Sequence, residues 1–166
     1  MNIEKDLEQI EKQEKLLQFD FFNENTAWQI GSRMRMLAAE RALPVAIDIQ
    51  VNGQPLFLTC MPGSKLDNID WIRRKKNVVQ RFQRSSYAVG LDLQKKGTSL
   101  SETVGAELKD YAVHGGCFPI RLKGSIFIGM ITVSGLPQRK DHGFVVEALA
   151  GFLGVPLAEV ALADES

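Results

Sequence analysis

The sequence predicts an α+β fold, a central antiparallel sheet flanked by helices. Three observations carry this. Asn52-Gly53 separates two apolar, alternating stretches, and that pair between such runs is a strong hairpin signal because both turn residues take positive φ. Segments with a 3.6-residue apolar period lie before, between and after the strand-like segments. The resulting order, α-α-β-β-α-β-β-α, inserts two hairpins among helices, which an antiparallel sheet with helices on its faces accommodates.

Each element has its own reason. Ile3, Leu7, Ile10 and Leu17 give residues 2–18 a narrow apolar stripe between charges, the mark of an amphipathic helix. Asn23 or Asn25 caps a second helix over 26–42, with Ala27, Ile30, Gly31, Met34, Leu37, Ala38 and Arg41 in register. Gly31 in that stripe implies close approach to a sheet, and Pro44 ends the helix. Val45, Ile47, Ile49 and Val51 alternate with Ala46, Asp48 and Gln50, so 45–51 and 54–60 form a hairpin. Pro55 belongs at a strand start or edge. Asp67 and Asn68 cap a long helix over 68–95 whose stripe is Trp71, Lys75, Val78, Phe82, Ser86, Val89 and Leu93, with a break near Ser85-Ser86. Residues 96–110 read as a loop with a short helical turn. Strands follow over 112–122 and 125–134. In the latter, Ile126, Ile128, Met130, Thr132 and Ser134 share one face and Phe127, Ile131 and Val133 the other. With both faces apolar, this is a central strand. A last helix covers 138–153, and the final ALADES frays. The expected organisation is an N-terminal amphipathic helix over 1–22, a candidate oligomerisation element, then one domain over 23–155 and a tail over 156–166.

Composition excludes several classes. Lys+Arg and Asp+Glu are both 20, so no global charge favours nucleic acid or membrane. The charge is uneven: residues 1–24 carry seven acids against three lysines, 141–166 five acids and no cation, and 73–84 six cations and no acid. The basic WIRRKKNVVQRFQR places Trp71, Val78 and Phe82 on its buried helical face, where they cannot stack on bases. The charged start is unlike a signal peptide, and no apolar run reaches the roughly 18 residues of a membrane span. A cytoplasmic protein with reduced thiols is expected, since Cys60 and Cys117 lack CxxC spacing.

The residues with chemical potential cluster in HGGCFPI (114–120) and VSGLPQRKDH (133–142). His114 is a candidate metal or haem-iron ligand, or a proton carrier. Gly115-Gly116 permits close approach of backbone or ligand. Ser134-Gly135 opens the last helix, whose free N–H groups suit an anion. Asp141 reads as favourable charge in that helix's first turn, and His142 is a secondary candidate. Lys75 sits on an apolar stripe, where a charge is expensive unless paired or facing a cavity. Cys117 and His114 point to opposite faces of an extended chain and form no thiol–imidazole pair. No third ligand completes a zinc site. No nucleotide motif or nucleophile elbow appears, and no acid partners either histidine as a general base, so an enzyme is the weaker expectation.

Phe118-Pro119-Ile120, Gly124, Gly129, Val133-Ser134-Gly135 and the helix around Glu147-Ala148-Leu149 resemble the haem-degrading-domain family, which includes glycolate-utilisation G-like proteins and an extracellular haem-binding sensor. MPG, DNIDWIRRKKNVVQRFQRSSYAVG, YAVHGGCFPI and VSGLPQRKDHGFVVEAL are closer to a cytosolic, uncharacterised branch of it. The resemblance covers residues 26–153. It implies a profilin-like fold and homodimers or higher oligomers, with haem binding in some members. The expected function is therefore a cytosolic oligomer binding haem or another small anionic ligand. His114, Gly115, Gly116, Phe118 as an apolar wall, Ser134, Gly135, Arg73, Arg74 and Lys75 would form the site, the cations meeting carboxylates such as haem propionates. The alternative is a non-enzymatic assembly or protein-targeting protein, as the resemblance to a eukaryotic relative implies. There the basic helix meets acidic ends of neighbouring subunits.

Overall fold

In the computed structural model, which describes residues 2–124 and 126–163, a four-stranded antiparallel sheet of order β2-β1-β4-β3 lies between helices. The strands are β1 (Ala46–Val51), β2 (Gln54–Cys60), β3 (Cys117–Leu122) and β4 (Ile126–Ser134). The Asn52-Gly53 turn has the positive φ of 48° and 80° that its residues foretold. The two hairpins join through β1 and β4, where Ala46 pairs with Ser134 and Val51 with Gly129. β4 is thus a central strand, and Pro55 sits on the edge strand β2.

One face of the sheet packs on α2 (Glu24–Glu40) and α6 (Gln138–Leu153). Ile47, Ile49, Phe118, Ile120, Ile131 and Val133 meet Ile30, Met34, Val145 and Leu149 there in the main core. Close packing requires Gly31, since a Cβ would sit 2.4 Å from the Phe57 ring. The other face packs on α3 (Leu66–Phe82) through Val79, Cys117 and Met130.

Two details follow the sequence expectation and one departs from it. The expected break near Ser85-Ser86 divides the long helix into α3 and α4 (Ser86–Lys96), because Gln83 turns left-handed at φ 52° and Ser85 caps the second. The short helical turn expected within 96–110 is α5 (Leu100–Val104), set by a capping box between Ser99 and Glu102. In β4 the register slips: Ile120 pairs with Gly129 and Arg121 with Phe127. That bulge sends Ile128 to the main core and Phe127 to the α3 face, reversing the faces expected from uninterrupted alternation.

The N-terminal helix α1 (Ile3–Leu16) lays Ile10 against Tyr87, Ala88 and Leu91 of α4, so its stripe is used within the chain. In the expected tail, α7 (Leu157–Val160) buries Val160 completely. Residues 164–166 of the expected frayed end lie outside the described residues.

Candidate functional site

The site begins with a charge placed where apolar residues belong. Lys75 faces the sheet from α3, and its side chain is only 3% exposed. Its Nζ donates to Val133 O at 3.0 Å and to Asp141 Oδ2 at 2.9 Å. Asp141, 2% exposed in the first turn of α6, also accepts from Leu136 N–H through Oδ1 at 2.9 Å. Asp141 is therefore more than a favourable charge at a helix start: it is half of a buried ion pair. Burial pushes its carboxyl above the ordinary range, while Lys75 and the turn amides pull it back. Taking two charges out of water is costly, and the pair survives because both partners keep hydrogen bonds.

This pair explains Gly116. Its φ is +127°, and a Cβ there would lie 2.7 Å from Lys75 Nζ and 2.4 Å from Val133 O. Only glycine lets the backbone pass so close to the ammonium. Gly116 O also accepts from Val133 N–H at 2.8 Å, which ties the HGG segment to β4.

Above the pair opens a cleft of about 300 Å³ lined by Asn68, Trp71, Lys75, His114, Ser134, Gly135, Leu136, Gln138 and Asp141. The fold thus brings together His114, Lys75, Ser134, Gly135 and Asp141. Gly115 and Gly116 lie just behind: Gly115 N–H donates to Gln138 Oε1 at 3.3 Å. His114 stands exposed at the mouth with its ring edge-to-face against Trp71, centroids 5.0 Å apart. Among the described residues neither ring nitrogen has a hydrogen-bond partner and no carboxylate pairs with it. Partial burial, then Lys75 and Arg74, hold its pKa below the ordinary value, so the imidazole is neutral near pH 7.

The remaining predicted residues lie elsewhere. Phe118 is 1% exposed in the main core and is no wall of this cleft. The pleat turns it away from the α3 face that Cys117 occupies. His142 is fully buried, with Nε2 2.8 Å from Gln13 Oε1. Because Gln13 spends its amide N–H on Val160 O, its oxygen faces the imidazole, so Nε2 carries the proton. Burial holds His142 down at about 3. Cys117 is buried with its thiol pushed up to about 12 by burial, and it accepts from Thr132 Oγ1.

Arg73 and Arg74 are occupied as well. Arg73 reaches Asp70 at 3.0 Å and Asp110 at 3.1 Å, and Arg74 reaches Asp70 at 2.9 Å. With Asn77, which donates to Asp110 O, they pin the connection that leads into His114. Arg74 also lies over the Trp71 ring at 4.1 Å. The cleft residues that sequence reasoning missed are Trp71, read as buried, and Asn68, Leu136 and Gln138. Trp71 and Asn68 precede Lys75 by four and seven positions, and that helical spacing was the available signal.

A second, larger cleft of about 610 Å³ lies on the other flank of α6, lined mainly by apolar residues including Leu43, Leu136, Phe144 and Leu157. No group of three or more potential metal ligands occurs among the described residues, and no described helix is long and apolar enough to cross a membrane.

The family model described as haem degrading protein HbpS-like matches residues 22–150. A UPF0303 protein of Azotobacter vinelandii is 61% identical over 162 residues, 98% of each chain. The crystal structure of the Ybr137w protein superposes with a TM-score of 0.82 at 36% identity over 89% of each chain. The PduOC–haem complex shares the fold, with a TM-score of 0.64 at 18% identity over 75% of this chain and 89% of that one.

Proposed function

This chain belongs to the HbpS-like haem-degrading family, and from that premise we propose that it is a cytoplasmic protein binding a small ligand in the cleft between α3, the HGG segment and α6. Haem is the first ligand to test, with His114 as the candidate iron ligand. The observation that supports this is His114 itself: an exposed, neutral imidazole with no hydrogen-bond partner among the described residues, at the mouth of a cleft. A metal ligand must offer a bare ring nitrogen, and this one does. At about 300 Å³ the cleft is at the small end of the roughly 300–1,000 Å³ common for ligand sites, so it takes a small molecule or one edge of a larger planar one. Haem held there would bring its own redox and oxygen chemistry. The chain would supply the imidazole and the Trp71 ring, over which Arg74 lies.

The test is titration of the purified protein with haemin. A shifted Soret band at stoichiometric protein, altered in His114→Ala, is the expected result. An unchanged free-haemin spectrum rejects haem.

A second reading, self-association without small-molecule chemistry, is favoured by a different surface. Trp28 is 65% exposed on α2, Met36 61% on α2 and Leu58 58% on β2. Trp28 also packs edge-on against Phe57 beside the sheet's open edge. Burying these against a second copy would remove apolar surface from water. Light scattering after size exclusion should give an oligomer that Trp28→Asp loosens. A monomer at micromolar concentration counts against it.

A further inference from the structure

We infer that the polar cleft receives an uncharged oxygen of its ligand, a carbonyl or carboxamide, on Lys75 Nζ and Ser134 Oγ, and disfavours a carboxylate there. This rests on the cleft being a ligand site, as proposed above, and names the chemical class that enters it.

The donors come first. An ammonium carries three N–H groups. Lys75 spends two, on Val133 O and Asp141 Oδ2. The third has no acceptor among the described residues, yet Lys75 lines the cleft. Ser134, 3% exposed, lines the same cleft, and its hydroxyl has no hydrogen-bond partner among the described residues. The fully buried side-chain atoms without a partner there are Asp48 Oδ1 and His142 Nδ1, so the Ser134 hydroxyl is not sealed in and opens onto the cleft. Two groups with donor capacity to spare, each on a buried residue, therefore belong to the lining of one space.

Asp141 sets the charge that this space accepts. Its two oxygens already hold the Lys75 ammonium and the Leu136 N–H at the start of α6. The groups that would attract an anion are thus neutralised by the chain's own carboxylate. An incoming carboxylate on Lys75 would meet Asp141 on the same ammonium, and like charges that close disfavour each other's ionised form. A neutral oxygen takes the same donors without that repulsion. The Trp71 and His114 rings, nearly perpendicular at 79°, add aromatic walls against which an aromatic body can pack. Together these select a carbonyl or carboxamide on a planar body.

Benzamide and benzoate share a shape and differ in charge, so they are the probes. Trp28→Phe leaves Trp71 as the lone tryptophan reporter, since the chain has two. Near neutral pH, benzamide should saturate a change in Trp71 fluorescence and shift the Gly115, Gly116 and Leu136 amides in NMR spectra. Benzoate should bind at least about tenfold more weakly. Ser134→Ala, a small change that leaves the ion pair intact, should weaken benzamide severalfold. Benzoate binding as tightly as benzamide, or neither probe acting at millimolar concentration, overturns the inference. If haemin fails while benzamide binds, the inference stands without haem. If haemin binds through His114 while benzoate is preferred, the ligand reading stands and this inference falls.

Discussion

The two clefts that flank α6 differ less in size than in where they keep their charges. On the larger, apolar side an ion pair sits at the rim. Arg41 reaches Glu147 at 2.6 Å with side chains 44% and 29% exposed. On the smaller side the pair is the floor, with side chains 3% and 2% exposed. A half-exposed rim pair is screened by solvent and salt. A floor pair is locked by packing, and any donor it leaves over is aimed. Volume alone would select the apolar cleft for a ligand, whereas oriented chemistry selects the polar one.

The sharpest way to break this comparison is to remove one partner from each side. Lys75→Met should cost about 3–5 kcal/mol in denaturant unfolding, because Asp141 is left buried and unpaired. Lys75→Met with Asp141→Leu should recover much of that loss. Arg41→Met at the other cleft should stay within about 1 kcal/mol. Equal losses on both sides would mean that the floor pair is no more fixed than the rim pair.

Next in size is Gly116→Ala. Positive φ and crowding against Lys75 Nζ should together cost about 2–4 kcal/mol and disturb the cleft. A near-neutral effect would show that the HGG backbone can move off the ammonium.

A pH profile separates the two histidines. His142 is held at about 3, below its ordinary 6.5, by burial and then by Arg139. Between those values the unfolded chain takes up a proton that the folded chain refuses. Stability attributable to His142 is therefore full above about 6.5 and falls as pH drops toward 3. In His142→Gln the unfolding curve should lose that slope. The smallest stability effect belongs to His114→Ala, within about 0.5 kcal/mol because the residue is exposed and makes no hydrogen bond among the described residues. The same variant should show the largest change in a haemin titration.

Much of the fold was legible because its signals are local. Asn52-Gly53 needed only its own φ preferences, and the central place of β4 needed only a run that is apolar on both faces. The short helical turn expected within 96–110 is α5, capped locally by Ser99 and Glu102. The bulge at Ile128 was hidden, because it depends on how β3 pairs with β4 and not on β4 alone. Phe118 was misplaced for a related reason: a pleat assigns opposite faces, but which face borders the cleft depends on where α3 lies. The charge asymmetry is met in part inside the chain, where Glu4 pairs with Lys95 and Asp6 with Arg139.

By itself the sequence determined the helices, the two hairpins and the anomaly of a lysine on an apolar stripe, since period and turn chemistry act over a few residues. Only the tertiary structure decided what that lysine meets. Asp141 is 66 residues away in sequence, and the sheet order β2-β1-β4-β3, with α3 packed across β4 and α6 starting at its end, brings them to 2.9 Å. A buried charge announces that it needs a partner, but sheet topology chooses which one.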